Sequence, residues 1–189
     1  IAVAFSGTLD EIGGTFGAIG INSLDVRNSL MDSQIEATKL GKGMADVLTA
    51  TTQLTSNFGV GLSEAIKLSS SVIDTSVALG ISTEESADLI GSFKTLAGLS
   101  TDQSIALAKN VTLLAKANDV APQQVLKDIA GSSEAVAGFT DKSGENIARA
   151  AIQARKLGIS FSDVASAAES LLNYQQSYQN SLEASVLIG

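Results

Sequence analysis

The sequence predicts an all-α protein, in which a small bundle of short helices joined by tight Gly-Ile-Ser turns is flanked by longer helices with coiled-coil character. Two observations carry this prediction. A turn phrase occurs twice, at residues 79–85 (LGISTEE) and at residues 157–163 (LGISFSD). Between the turns, apolar residues recur at helical spacing, without the sustained alternation that is typical of strands. The turns therefore divide the chain into short amphipathic helices.

Each turn phrase ends one helix and begins the next. Gly80 and Gly158 follow helix formers, and glycine readily adopts the left-handed conformation that closes a helix. The serine that follows can accept the free N–H groups of the next helix, and an acidic or amide residue three positions later completes a reciprocal capping box. A weaker version of the phrase lies at residues 98–103 (GLSTDQ). The predicted capping pairs are Ser82 with Glu85, Ser100 with Gln103, and Ser160 with Asp163.

Four segments follow from the turns and the apolar pattern. Residues 1–21 are a Gly-rich apolar segment, and residues 22–61 are a longer helical segment with glycines near its middle. Residues 62–158 form the short-helix bundle, and residues 159–189 continue as a C-terminal coiled-coil-like helix. The helices predicted in the bundle cover residues 62–79, 83–97, 101–117, 122–136 and 145–157.

The C-terminal segment carries an apolar stripe along one helix face. Two series of residues spaced by seven form this stripe, and few apolar residues after residue 172 lie off it. Such stripes are typical of coiled coils, in which one buried polar residue fixes the register. We therefore predict a homo-oligomer, with a trimer favoured. The predicted interface residues are Phe161, Val164, Ala168, Leu171, Gln175, Tyr178 and Leu182.

The charge balance disfavours nucleic-acid binding. The 189 residues include 12 basic and 20 acidic side chains, for a net charge of −8, whereas a DNA-binding surface needs clustered Lys and Arg. The phrase Leu-Gly-Ile-Ser before a helix resembles the turn of helix-turn-helix domains, but the helix that would enter the groove carries Glu84, Glu85 and Asp88. A DNA-binding module is therefore the less favoured alternative.

The residues indicate no enzyme. The chain has no His and no Cys, which removes the usual nucleophile, base and zinc-ligand sets. The glycines at residues 13–17 lack the Lys of a phosphate-binding loop. We predict no catalytic, cofactor-binding or metal-binding residue, and no cofactor.

A membrane segment is one interpretation of the apolar opening, residues 1–21. Asp10 and Glu11 interrupt residues 1–21, and no apolar run reaches the length of a membrane span. We expect this segment to pack within an assembly, with a membrane-active segment as the alternative. Because the chain does not start with Met, we also expect it to be a segment of a longer protein.

Several phrases of the chain, from about residue 40 to the end, resemble those of bacteriophage tail tape measure proteins. They are residues 79–87 (LGISTEESA), 147–151 (IARAA), 157–165 (LGISFSDVA) and 182–187 (LEASVL). The resemblance implies a long, mostly helical virion protein that lies in several copies inside the tail tube, near the baseplate or tip.

As the resemblance further implies, such a protein sets tail length during assembly, docks to tail tube and baseplate hub proteins, and is released when the genome is ejected. Some members of the family also carry a peptidoglycan-cleaving domain. Here Glu169 and Ser170 match the Glu-Ser of transglycosylases only as a dipeptide, so we expect no lytic activity in this segment. A bacterial secreted or secretion-tip protein built of Ala/Ser-rich coils is the alternative from another class.

Overall fold

The structure, a computed structural model, describes residues 24–139, 141, 144–171, 173 and 175. All regular structure in this part of the chain is helical, so the all-α prediction is confirmed. The helices are α1 (Leu24–Lys39), α2 (Met44–Phe58), α3 (Leu62–Leu79), α4 (Thr83–Gly91), α5 (Thr101–Ala117), α6 (Pro122–Ala130), α7 (Ser133–Phe139), α8 (Glu145–Lys156) and α9 (161–171).

The two copies of the turn phrase have the same geometry. Gly80 and Gly158 adopt left-handed φ values of 67° and 74°. The isoleucine after each glycine donates its N–H to a carbonyl five residues back, and both N···O distances are 3.0 Å. This arrangement satisfies carbonyl groups that the end of a helix would otherwise leave free.

The turn between α5 and α6 uses the same hydrogen bond without glycine. Asp119 takes the left-handed conformation with φ 56°, and the N–H of Val120 donates to the carbonyl of Ala115 at 3.0 Å. Asp is among the few residues other than glycine that tolerate this region. Pro122 then begins α6, where its missing N–H leaves no partner unsatisfied.

Reciprocal capping boxes begin three helices. In each, the serine hydroxyl accepts the N–H of its partner at 3.1–3.2 Å, and the partner side chain accepts the serine N–H at 2.8–3.2 Å. The pairs are Ser82 with Glu85, Ser100 with Gln103, and Ser160 with Asp163.

Two of the predicted helices differ in the structure. The helix expected over residues 122–136 is two helices, because the chain turns at Gly131 and Ser132, whose N–H groups donate to carbonyls of α6. The helix expected over residues 83–97 changes after α4 into a π-helical turn, Ser92–Leu96, where the N–H of Ala97 donates to the carbonyl five residues back. Both changes keep the following apolar residues in the core.

The apolar core runs through the described part of the chain, with α4 at its centre. One side of α4 contributes Ala87 and Ile90 to a cluster with α2 and α3. Leu89 on its other side and Phe93 in the π-helical turn belong to the larger cluster formed with α5 to α9. A third cluster joins α1, α2 and α3. The expected boundary at residue 62 therefore does not separate two packing units, because α3 packs mainly on the helices before it.

Small and hydroxylated residues allow close contact between these helices. Ser33 on α1 donates to the carbonyl of Ile66 at 2.9 Å, and Ser86 on α4 donates to the carbonyl of Val72 at 2.8 Å, so two neighbouring helices are hydrogen-bonded to α3. At Gly91 the ring of Phe58 lies so close that an added Cβ would meet ring carbon Cδ2 at 2.4 Å. Few large rings are therefore needed to fill this core.

The Gly91 contact can be tested by substitution. Gly91→Ala should lower the free energy of unfolding by about 1–3 kcal/mol, because the Phe58 ring must move out of a packed site. Gly138→Ala is the matched control: it is also helical, with no atom within 4 Å of an added Cβ, and should stabilise by roughly 0.5–1 kcal/mol. Urea unfolding measures both, and equal effects would contradict the close-contact argument.

The capping boxes can be tested at the two turn phrases. Ser82→Ala or Ser160→Ala should cost about 1 kcal/mol of stability, whereas glycine at either site should cost only a few tenths. The reason is that alanine removes the acceptor of the Glu85 or Asp163 N–H and disfavours the extended cap conformation. Thermal unfolding compares the four variants, and equal damage from Gly and Ala would assign the hydroxyl a different role.

Candidate interaction surfaces

The start of α9 is fixed to the bundle. The hydroxyl and N–H of Ser160 donate to Asp163, and these hydrogen bonds hold the pKa of Asp163 below its ordinary value. Phe161 is only 3% exposed and lies in the core cluster formed with α4 to α8. Phe161 is therefore not available to an interface between chains, and its assignment to the oligomer stripe was wrong: burial within its own chain removes the ring from the helix surface.

The rest of the predicted stripe leaves the core step by step. Val164 and Ala168 are half-buried, Leu171 is 70% exposed, and Gln175 is exposed. Tyr178 and Leu182 lie outside the described residues. The candidate interface on α9 thus begins at Val164. Its coiled-coil geometry stays a prediction, because such packing requires a second helix of the same kind, which another copy of the chain would supply.

Sequence reasoning missed an exposed apolar face on α1. Met31 and Ile35 are 50% and 54% exposed, while Leu30 and Ala37 on the same helix are fully buried. The spacing of residues 31, 35 and 38 along one helix face was the available signal. Solvent-exposed aliphatic side chains are common on single chains, so these two residues alone do not define a binding site.

A groove separates α7 from α9, and we name it the α7–α9 groove. Its volume is about 880 Å³, and its walls carry small side chains with one acidic residue on each helix, Glu134 and Glu169. The lining residues are Gly131, Ser132, Ser133, Glu134, Ala135, Ala137, Gly138, Ser162, Ala165, Ser166 and Glu169. No pattern in the sequence predicts that these two helices lie side by side.

Among the described residues, several charged contacts link different helical segments and are structural. Asp46 accepts the Gly43 N–H at 3.1 Å and the Thr83 hydroxyl at 2.8 Å, which joins the start of α2 to the start of α4. Burial raises the pKa of Asp46, but these hydrogen bonds and the charge of Lys42 outweigh burial and hold the pKa below its ordinary value. Arg155 makes a two-point ion pair with Asp128, joining α8 to α6.

Asp88 on α4 has the opposite behaviour. It is half-buried, and its Oδ1 has no hydrogen-bond partner among the described residues. Burial raises the pKa of Asp88, a hydrogen bond with Asn57 opposes this shift, and the charges of Glu84 and Glu85 raise the pKa further. The folded chain therefore favours the protonated form of Asp88 more than the unfolded chain does.

No metal site is evident in the part of the chain that the structure describes, where no group of three acidic residues is placed to hold an ion. Among those same residues, no helix is both long enough and apolar enough to span a bilayer.

Comparisons of the chain with protein-family models, with curated proteins and with solved structures found no match. The described residues thus define a class by fold alone, an all-helical protein of short capped helices. Its two candidate interaction surfaces that involve α9 are the exposed stripe from Val164 and the α7–α9 groove.

Asp88 makes stability depend on pH. Because its folded-state pKa is above that of the unfolded chain, the carboxylate costs stability at higher pH, and this cost disappears as the pH falls below the ordinary pKa of 3.8. Asp88→Asn should therefore raise the free energy of unfolding at pH 7, and the gain should shrink in acid. Urea unfolding across pH measures it. Exposed Asp74→Asn on α3 is the matched control, and the same pH dependence in both variants would contradict a role for burial.

The α9 stripe predicts self-association. Leu171→Ser should release monomers, because it removes a leucine of the predicted stripe that is 70% exposed, while Leu157→Ser should not. Leu157 is the matched control, since it is 74% exposed but lies in the turn before α9. Sedimentation equilibrium of the two variants and the wild-type chain checks this prediction. A monomeric wild type, or equal effects of both substitutions, would contradict self-association through the stripe. The stripe would then contact another protein or another part of the chain.

Proposed function

We propose that this chain is a structural segment of a bacteriophage tail tape measure protein, without catalytic activity. In this role it helps to set tail length, docks to tail tube and baseplate hub proteins, and leaves the tube when the genome is ejected. Its place would be the lumen of the tail tube, near the baseplate or tip.

The observation that carries the proposal is that the described residues of the resemblance build the fold, while its phrase at residues 182–187 lies outside the described residues. Both Leu-Gly-Ile-Ser phrases form the same turn, with a left-handed glycine, a buried or half-exposed isoleucine and a reciprocal serine cap. Phrases 147–151 and 157–165 lie in α8, its turn and α9, which pack together. A likeness that falls on residues with defined structural roles is stronger support than a likeness on surface positions.

Two further properties suit a protein that shares a tube with DNA. The net charge of −8 gives repulsion from phosphate, so the chain would neither retain DNA nor be carried along with it by binding. The fold also leaves surfaces uncovered at its C-terminal end, where α9 becomes progressively exposed. Docking to hub proteins would use such surfaces.

Immunogold labelling with antibody against the purified chain tests the proposal. In particles of the phage that encodes it, intact tails should stay unlabelled at the baseplate, and labelling should appear once the tails are opened or have ejected DNA. Labelling of the surface of producing cells in the absence of particles would favour the secreted coiled-coil protein instead. Label bound along DNA in cell lysates would favour the helix-turn-helix alternative.

A peptidoglycan-release assay tests the prediction that the chain has no catalytic activity. The purified chain should release no soluble fragments from labelled peptidoglycan, and Glu169→Gln should behave like the wild type. Release that depends on Glu169 would overturn the structural role.

A further inference from the structure

We propose that a row of oxygen-bearing side chains on α4 and at the start of the π-helical turn is a binding site for an alkylammonium group. The row consists of Glu84, Asp88 and Ser92, and we name it the oxygen row. Residues spaced by four lie along one face of a helix. The helical geometry continues to the end of the row, because the N–H of Ser92 donates to the carbonyl of Asp88.

Two oxygens of the row are buried without a partner. Ser92 is fully buried, and neither its Oγ nor the Oδ1 of Asp88 has a hydrogen-bond partner among the described residues. A helical side chain leans toward the N-terminus of its helix, so Ser92 lies over the turn that carries Asp88. Buried oxygens normally have a partner, because an unpartnered one loses the hydrogen bonds that water provided. Both oxygens therefore need a donor that the described residues do not supply.

The exposure of the row gives that donor a direction of approach. Glu84 is exposed, Asp88 is half-buried and Ser92 is fully buried, so the row leads from solvent into the fold. A flexible ligand with a donor group at its tip would enter along this gradient. Long side chains and chain-like amines have this form, because they pack an apolar stem against the protein behind a charged tip.

The charge of the row defines the ligand as a cation. Neither Glu84 nor Asp88 forms an ion pair with another described residue, whereas the adjacent Glu85 is paired with Lys127. Asn57 at the end of α2 hydrogen-bonds the Asp88 carboxylate but carries no charge. Burial raises the pKa of Asp88, and the charges of both glutamates raise it further, so the ionised carboxylate is poorly compensated in the folded chain. A bound cation would compensate it.

The donors and acceptors favour an ammonium group over a metal ion. Ca²⁺ and Mg²⁺ are held by about six to eight oxygen ligands, and no group of three acidic residues in the described part of the chain is placed to hold a metal. An ammonium group instead brings three N–H donors, which suit the carboxylate of Asp88 and the hydroxyl of Ser92. The ring of Phe58 lies against Gly91, one turn from Asp88, and offers the alkyl stem an apolar neighbour.

The experiment uses the full 189-residue chain, a diamine with a four-carbon spacer, and the diol of the same length as an uncharged control. The diamine should give saturable shifts of the amide signals of Asn57, Asp88 and Ser92. It should also raise the unfolding temperature, because a ligand that binds the folded chain stabilises it. The diol should do neither. No shift at these residues, or equal shifts over the whole acidic surface, would overturn the proposal.

A lysine side chain of a partner and a free amine carry the same ammonium group. A short peptide amide with one lysine, titrated in the same way, separates these sources. Tighter binding of the peptide would assign the row to a partner's lysine, and tighter binding of the diamine would assign it to a free amine. Failure of both probes to bind the row would overturn the proposal.

The charge of the row is tested by an isosteric substitution. Asp88→Asn should weaken diamine binding about ten-fold or more, because it removes a charged hydrogen-bond acceptor. Asp74→Asn makes the same change of charge at an exposed site on α3 and should leave binding unchanged. Since Asp88→Asn is expected to stabilise the chain at pH 7, lost binding would not result from unfolding. An equal loss in both variants would overturn the proposal.

The buried hydroxyl is tested by a second pair of variants. Ser92→Ala should weaken diamine binding about three- to ten-fold and cost the free chain little stability, because the hydroxyl it removes has no partner. Ser86→Ala is the matched control, since Ser86 is also fully buried but donates to the carbonyl of Val72 at 2.8 Å. It should lower the unfolding temperature and leave the affinity of the folded chain unchanged. Unchanged affinity in Ser92→Ala would assign the hydroxyl to water or to its own helix and overturn the proposal.

Discussion

The fold depends on one local constraint, which is that at most of the turns one helix must end and the next must begin within two to four residues. The turn after α3 meets it with Gly80 in the left-handed conformation and Ser82 as the cap of α4. The intervening Ile81 donates its N–H backward and places its side chain in the core, only 8% exposed. Orphaned carbonyls of one helix and N–H groups of the next are both satisfied, so no loop is needed.

The same constraint fixes how the helices pack. Short turns force successive helices to be neighbours, and α4 in the middle of the chain contacts helices on both sides. Its two faces carry different apolar residues, Ala87 and Ile90 on one and Leu89 on the other, where Phe93 of the following π-helical turn continues the cluster. A helix with apolar residues on two sides is typical of a buried element rather than a surface helix.

Buried hydroxyl groups take part of the role that aromatic rings have in other cores. The chain has only 4% aromatic residues, yet Ser33 and Ser86 are buried and hydrogen-bonded to carbonyls of α3. Such contacts bring helices close and give these two buried hydroxyls a partner. The surfaces left over, on α9 and in the α7–α9 groove, lie at the end of the bundle where the contacts of successive helices run out.

The sequence by itself determined the helical class, the three capping pairs and most helix ends, because glycine conformation and serine capping are decided by neighbouring residues. It did not determine the left-handed Asp119, the break at Gly131 or the π turn after α4, where packing overrides a continuous helical pattern. Nor could it place Phe161, because a seven-residue repeat looks the same whether the facing helix belongs to the same chain or to another. The tertiary structure decided that point, and it alone brought α7 beside α9, since spacing along a chain carries no information on which distant helices meet.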